Sequence, residues 1–324
     1  MLWNMDFVDK NCVDLDRFIV EALIPSDAHL DAFRHRIDGL IEFLKNKTAL
    51  KIRRVVKGGS LERGTSLKGR TNCEVILFLD DFRSVQDMKA KMSEILAKIE
   101  RRMKSMENVR NIERDSTQSI AFEVLVEGSW FCVRINPSYD ISSRSQSDFG
   151  LNVYNDIATN LELREYCSTA LNEHRLNLIK SLPDKVKNLM RLLHHWNLHI
   201  CERHDVAKLS DYIIESIVLW CWKRAGSNAD FDISRGMKTV MSELTKGNDI
   251  NIDWHGMFEE VDSNCSRKQK HPELPLVLDP VDPTMNMCEP VNSGQNKQFW
   301  QKISHYATDT NNQPILRNVA GWIC

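Results

Sequence analysis

Apolar and polar residues alternate along parts of the first half of the chain with the period of two that is typical of strands. Residues 51–57 and 73–79 fit this pattern, and so do residues 119–126 and 130–135. Glu127 and Gly128 between the last two segments suit a tight hairpin turn. The alternation therefore predicts a small mixed sheet.

Apolar residues recur at helical spacing elsewhere. Residues 15–23 predict a short amphipathic helix that ends before Pro25, and Ser26 is a suitable N-cap for a longer helix. Residues 84–106 predict a lysine-rich helix whose apolar stripe packs across the sheet. Beyond a Ser- and Arg-rich loop at 141–148, further helices are predicted near residues 160–181, 183–201, 210–225, 233–245 and 295–307. The pattern predicts an α+β protein with lobes 1–148 and 149–324.

Composition narrows the class of protein. The 324 residues carry a formal net charge of −2, so any nucleic-acid surface must be a local patch. The nine cysteines form no CxxC pair, which favours reduced thiols in an intracellular compartment. No apolar run reaches the length of a membrane span, and the first residues lack the pattern of a signal peptide. We expect a cytoplasmic protein that does not bind membranes.

A Gly-Gly-Ser turn at residues 58–60 separates the first two predicted strands, and a basic loop containing Arg63 follows it. Glycine lets backbone N–H groups approach a phosphate closely, and a hydroxyl and cations nearby suit an anion. The same three residues also occur as an ordinary turn between strands. The motif alone therefore leaves both interpretations open.

The longer string KGGSLERGTSLKGR, followed by an alternating strand, resembles the 2'-5'-oligoadenylate synthetase family, relatives of cyclic GMP-AMP synthase. The resemblance extends over nearly the whole chain, through LDRFIVEALIP, KVKNLMRLLHHW and PLVLDPVDPTMN. It implies a polymerase-β-like nucleotidyltransferase lobe with a mixed sheet, followed by an α-helical lobe. It also implies template-independent nucleotidyl transfer with ATP and Mg²⁺.

Such a transfer uses two Mg²⁺ ions held by hard, anionic oxygen ligands. The resemblance places the family's three metal-binding aspartates at Asn72, Glu74 and Arg134, the last located by the tetrapeptide PSYD at 137–140. Asn72 lacks the charge, and the Arg134 guanidinium has no lone pair for a metal. We therefore expect no metal or other cofactor, and a buried ion pair between Glu74 and Arg134. The alternative is that Arg134 points outward.

Further contacts follow from the resemblance. Nucleotide contacts are implied at Gly59, Ser60, Lys208 and Tyr212. Tyr212 is equally suited to a core position. Double-stranded RNA contacts are implied at Arg34, Lys57, Arg63, Lys187, Arg191 and His194. The last three share one arc of the predicted helix 183–201, an arrangement that is also typical of a plain solvated face.

These residues predict a catalytically impaired oligoadenylate-synthetase-like protein that binds double-stranded RNA in antiviral sensing. The alternative is an active, RNA-activated nucleotidyltransferase that makes 2'-5'-linked oligonucleotides or cyclic dinucleotides from ATP or GTP. It requires that Glu74 and a further acid, Glu123 or Asp140, hold the metal, or that one metal suffices. A third possibility is an interaction module with a protein partner. Cys265 and His271 are isolated, so we expect no zinc.

Overall fold

A computed structural model describes residues 15–140, 171–204, 207–254, 273–282, 285–289 and 294–323, together with 163, 166, 168, 169 and 257. The predicted loop at 141–148, the lobe boundary after residue 148, Cys265 and His271 lie outside these residues. The chain divides into two compact units. The sheet unit is Pro25–Lys180, and the helical unit is Met1–Ile24 with Ser181–Cys324.

The sheet unit contains four helices and five strands in its described part. They are α2 (Asp27–Lys47), β1 (Ile52–Gly58), α3 (Gly59–Arg63), β2 (Cys73–Leu79), α4 (Val85–Met103), β3 (Val109–Glu113), β4 (Ile120–Val126), β5 (Ser129–Ser138) and α5 (Asn172–Lys180). The sheet has the order β1-β2-β5-β4-β3. Only β2 and β5 pair in parallel, and the other neighbours are antiparallel. The predicted mixed sheet is confirmed.

Local signals account for most of these boundaries. The Ser26 and Ser84 side chains accept hydrogen bonds from the backbone of His29 and Asp87, so both serines cap their helices. Glu127 and Gly128 both have positive φ, as a tight hairpin requires. β3 was not predicted, because it is short and irregular and Asn111 within it also has positive φ.

The core of the sheet unit lies on one face of the sheet. Val75 and Leu77 of β2 are buried there with the apolar stripe of α4 and with α2 residues such as Phe33 and Ile37. The other residues of β2, beginning with Glu74, point to the opposite face because successive side chains alternate. This opposite face carries the candidate catalytic positions.

The helical unit begins with α1 (Leu15–Phe18), which continues as a π-helical turn (Ile19–Leu23). It continues with α6 (Asp184–His204), α7 (Asp211–Arg224), α8 (Ile233–Leu244), the short strand pair β6 (Asn251–Ile252) and β7 (Leu276–Val277), and α9 (Gly294–Asn312). α6 packs against α7, α8 and the π-helical turn. No helix in the described part of the chain is both long and apolar enough to cross a bilayer.

The two units differ from the predicted lobes 1–148 and 149–324 at both ends of the sheet unit. The segment Leu15–Leu23 packs against α6 and so belongs with the C-terminal helices. α5 packs against α3 and β1, which places it with the sheet. Both assignments depend on packing between elements that are distant in the sequence.

Candidate functional site

Arg134 lies between two carboxylates on the face of the sheet opposite the core. It is the direct register partner of Glu74 in the parallel pair β5/β2, and its Nη1 is 3.3 Å from Glu74 Oε1. Its Nε donates a hydrogen bond to Asp115, in the loop between β3 and β4. Burial opposes the charge, but the hydrogen bond and charge of Asp115 together with the charge of Glu74 outweigh it, so the pKa of Arg134 is raised. The predicted contact with Glu74 is present, and Asp115 adds a second partner.

This ion-pair cluster is only partly buried. The Arg134 side chain is 41% exposed and that of Glu74 is 29% exposed. The expectation of a buried pair is therefore wrong, because strand pairing brings the two side chains together without covering them. The Ser119 hydroxyl also donates a hydrogen bond to Asp115 and helps to hold the carboxylate beside Arg134. No feature of the sequence pattern identified Asp115, because its loop has neither apolar periodicity nor a motif.

Asn72 is bound to the Gly-Gly-Ser turn. Its Oδ1 accepts the Ser60 backbone N–H at 2.8 Å, and its own N–H donates to Ser60 Oγ at 3.1 Å. Gly59 has φ +77°, and a Cβ there would lie 2.8 Å from two oxygens of Asn72. These contacts require glycine at position 59 and use the backbone N–H and hydroxyl of Ser60. Asn72 thus occupies the groups of the turn that the anion-binding interpretation assigned to a phosphate.

The two further acids considered for a metal are also paired with arginines. Asp140 accepts hydrogen bonds from Arg54 Nε at 2.8 Å and Nη2 at 3.1 Å, and Arg54 also binds Glu173 at 2.8 Å. The Asp140 hydrogen bonds, despite burial, raise the pKa of Arg54. Glu123 accepts from Arg110 Nε at 2.7 Å. Each carboxylate therefore has a permanent cation as its partner.

These residues do not fit a pair of Mg²⁺ ions. The Asn72 side-chain oxygen already accepts a backbone N–H, the Glu74 carboxylate contacts a guanidinium, and Arg134 itself offers no lone pair. Mg²⁺ requires hard oxygen ligands in near-octahedral order, and a fixed positive charge among them opposes a divalent cation.

The predicted nucleotide residues fall in both units. Gly59 and Ser60 are buried in the sheet unit. In the helical unit, Lys208 forms an ion pair with Asp211 at 2.7 Å. The Tyr212 hydroxyl donates to Asp279 Oδ1 at 2.9 Å, and Asp279 is 1% exposed. Tyr212 itself is half-buried, and its hydroxyl is held by this buried carboxylate.

The predicted RNA-binding cations of the sheet unit each have an exposed or half-buried position. Arg34 lies 2.9 Å from Asp31 and 3.7 Å from Glu62, and Lys57 lies 3.0 Å from Asp38. Arg63, at the end of α3, is half-buried. Ion pairs with acids thus reduce the local positive charge on this surface.

The predicted cationic arc of α6 is not an exposed surface. His194 is 3% exposed, and its Nε2 lies 3.7 Å from Glu215, which is fully buried. Its prediction as an RNA contact is wrong, because residues from Val186 to Ile200 are buried on nearly every side of the helix. The Lys187 side chain is 13% exposed and lies 3.7 Å from Asp184. Arg191 donates to Asn188 at 2.5 Å, and burial lowers its pKa.

Comparisons with known proteins agree with the resemblance. Residues 148–322 match the family model for 2'-5'-oligoadenylate synthetase 1, domain 2, C-terminus. The chain is 25% identical to 2'-5'-oligoadenylate synthase 1A of Rattus norvegicus over 95% of this chain and 91% of that protein. It is 27% identical to inactive 2'-5'-oligoadenylate synthase 1B of Rattus norvegicus, covering 95% of this chain and 86% of that protein.

Solved structures with the same fold include E. coli MS115-1 CdnC with ATP, at a TM-score of 0.58 and 15% identity over 94% of this chain and 98% of that chain. The STING-associated CdnE c-di-GMP synthase of Capnocytophaga granulosa gives a TM-score of 0.53 and 13% identity over 96% and 89%. The predicted α+β nucleotidyltransferase fold is confirmed.

Proposed function

The chain belongs to the 2'-5'-oligoadenylate synthetase family, and we propose that it is a member in which two-metal nucleotidyl transfer has been lost. The observation that carries this proposal is Arg134, which pairs with Glu74 and Asp115 at a position where the family has a metal-binding carboxylate. The arginine partners of Asp140 and Glu123 support it, because neither acid is left to replace the missing ligand.

An activity assay tests this proposal. The protein is incubated with ATP or GTP, duplex RNA, and Mg²⁺ or Mn²⁺, with the rat synthase 1A relative as the positive control. We expect no oligonucleotide product from this chain. Any 2'-5'-linked or cyclic product that is absent from a Glu74→Gln variant would contradict the proposal and favour the alternative of an active enzyme.

We also propose that the protein binds double-stranded RNA through its sheet unit. The support is the family relationship together with Arg34 and Lys57, each of which pairs with an exposed aspartate; Arg34 has Glu62 as a second, more distant partner at 3.7 Å. Ion pairs of this kind contribute only about 0–1 kcal/mol, so a phosphate can replace the aspartate at little cost. A-form duplexes are recognised by shape, phosphates and 2'-hydroxyls, a mode compatible with a nearly neutral protein.

The Lys57→Ala variant tests the RNA proposal against Lys98→Ala, a control that removes another half-exposed lysine, paired with Glu94 at 2.8 Å. By the relation measured for B-DNA, loss of one phosphate contact weakens binding by about eightfold at 0.1 M salt. It also makes the negative slope of log K against log salt shallower by about 0.9. We expect both changes in Lys57→Ala and neither in the control. Absence of duplex binding at low salt would reject this proposal and favour a protein partner.

A further inference from the structure

The helical unit contains an open cavity of about 310 Å³. Its lining includes none of the predicted catalytic, nucleotide-binding or RNA-binding residues. It lies between the C-terminal end of α7, the N-terminal end of α8 and the last described residues of the chain. Its lining includes the side chains of Trp222, Asp230, Phe231, Asp232, Arg235 and Trp322. We call it the aromatic cavity, because three of these side chains are aromatic rings.

The three rings are fixed by contacts of their own. Trp222 Nε1 donates to the Asn228 carbonyl at 2.7 Å. The Trp322 backbone N–H donates to Thr239 Oγ1 at 2.7 Å, and its indole lies so close to Gly236 that a Cβ there would be 2.8 Å away. The Phe231 ring meets Trp322 edge to face at 5.0 Å. The cavity is therefore preorganised, and binding need not order these side chains.

The charges around the rings favour an anionic ligand. Arg235 lines the cavity, and the ammonium groups of Lys185 and Lys223 lie 5.9 Å from the Phe231 ring and 5.8 Å from the Trp222 ring. Of the two acids that line the cavity, Asp232 caps α8 by accepting from the backbone of Ser234 and Arg235. Asp230 lies 3.5 Å from Lys185, but its side chain is 97% exposed, so a phosphate can replace it at little cost. The three cations outnumber the two acids. These cations would repel a small cationic ligand, although aromatic rings alone would suit one.

We propose that the aromatic cavity binds a nucleobase with its phosphate, either a free nucleoside monophosphate or an unpaired nucleotide of RNA. A flat base stacks on an aromatic ring whatever its sequence, and ammonium and guanidinium groups bind phosphate. The volume lies at the lower end of the range of roughly 300–1,000 Å³ for small-molecule pockets, which suits one nucleotide. No residue that lines the cavity belongs to the Gly-Gly-Ser turn or to the proposed duplex-binding residues.

Calorimetric titration of the full chain with AMP, adenosine, single-stranded hexauridylate and a blunt RNA duplex tests the proposal. The central variant is Phe231→Leu, which keeps an apolar side chain and removes one stacking ring. Its control is Phe299→Leu, because Phe299 makes a similar edge-to-face contact with Trp300 at 5.8 Å outside the cavity. Lys185→Gln tests the phosphate contact without changing the rings.

We expect AMP to bind, with an affinity about tenfold lower in Phe231→Leu and unchanged in Phe299→Leu. Lys185→Gln should weaken AMP more than adenosine. If hexauridylate competes with AMP more strongly than monomeric UMP, the ligand comes from unpaired RNA. If the two compete equally, the ligand is a free nucleotide.

Three outcomes would overturn the proposal. They are no saturable binding of AMP or hexauridylate, equal loss of affinity in the two phenylalanine variants, and loss of binding in Tyr212→Phe with retention in Phe231→Leu. None of them bears on catalysis or on Lys57, so the proposed function is tested separately.

Discussion

Arg134 is the residue on which the proposed loss of catalysis depends. A carboxylate on a strand can bind a metal together with an acid on the neighbouring strand, whereas a guanidinium at the same position binds the acid itself. Arg134 contacts Glu74 across the parallel pair and Asp115 in the adjoining loop. On the proposed correspondence with the family, Arg134 thus puts a cation held by two acids at a position that would otherwise bind a cation.

The Arg134→Ala variant should lose only a modest part of the stability. Half-exposed ion pairs contribute about 0–1 kcal/mol, and removal of the cation leaves Glu74 and Asp115 to repel each other across a solvated gap. We expect urea unfolding to show a loss of about 1 kcal/mol that decreases as salt increases.

Arg110→Ala is the matched control, since Arg110 forms a single ion pair with Glu123 on the same sheet. The loss of unfolding free energy in Arg110→Ala should depend less on salt. This variant leaves one unpaired acid, whereas Arg134→Ala leaves two acids that repel each other. A loss of 3–5 kcal/mol in Arg134→Ala, the value typical of a broken buried pair, would contradict the half-exposed geometry.

At the scale of elements, the ends of helices show how local chemistry positions the proposed sites. α3 follows directly from β1 because Gly59 takes a positive φ that allows the close contact with Asn72. α8 is capped by Asp232, whose side chain accepts from two backbone N–H groups. Phe231, which lines the aromatic cavity, directly precedes this cap.

The Asp232 cap should make stability depend on pH. Burial acts to raise the pKa of this carboxyl, but hydrogen bonds from the Ser234 hydroxyl and from the backbone outweigh it, so the pKa lies below its ordinary value of 3.8. The unfolded state therefore binds more protons in this range, and the stabilisation present at neutral pH is lost as the pH falls below about 4.

Substitution separates capping from charge at this position. Asp232→Ala should lower the free energy of unfolding at pH 7 by about 1 kcal/mol, the usual contribution of an N-cap. Asp232→Asn keeps a capping oxygen but does not titrate, so its stability should change less between pH 7 and pH 3 than that of the parent. An equal pH dependence in the parent and Asp232→Asn, measured by urea unfolding, would contradict this assignment.

At the scale of the whole molecule, each compact unit has a distinct chemical character. The sheet unit places arginine–carboxylate clusters on the sheet face that is opposite its core, and the helical unit surrounds the mostly buried α6. The net charge of −2 adds no general attraction for nucleic acid. The proposed binding of RNA and nucleotide therefore depends on local groups, Lys57 and Arg34 in one unit and Lys185 and Arg235 in the other.

The sequence by itself determined the family and most of the secondary structure. The alternation in β2, the serine caps of α2 and α4 and the turn at Glu127–Gly128 all depend on residues within a few positions of one another. Such signals persist in a single sequence, because backbone geometry and side-chain period act locally. The pairing of Glu74 with Arg134 was also accessible, since a family motif located both positions.

Only the tertiary structure decided which partners surround these residues. Asp115, the Arg54 partner of Asp140 and the burial of His194 all arise from contacts between elements that are far apart in the sequence. The same is true of the aromatic cavity, where Trp222, Phe231 and Trp322 come from three separate segments. Helical spacing shows that a residue lies on an arc, but whether that arc meets solvent or another helix depends on packing that no local pattern records.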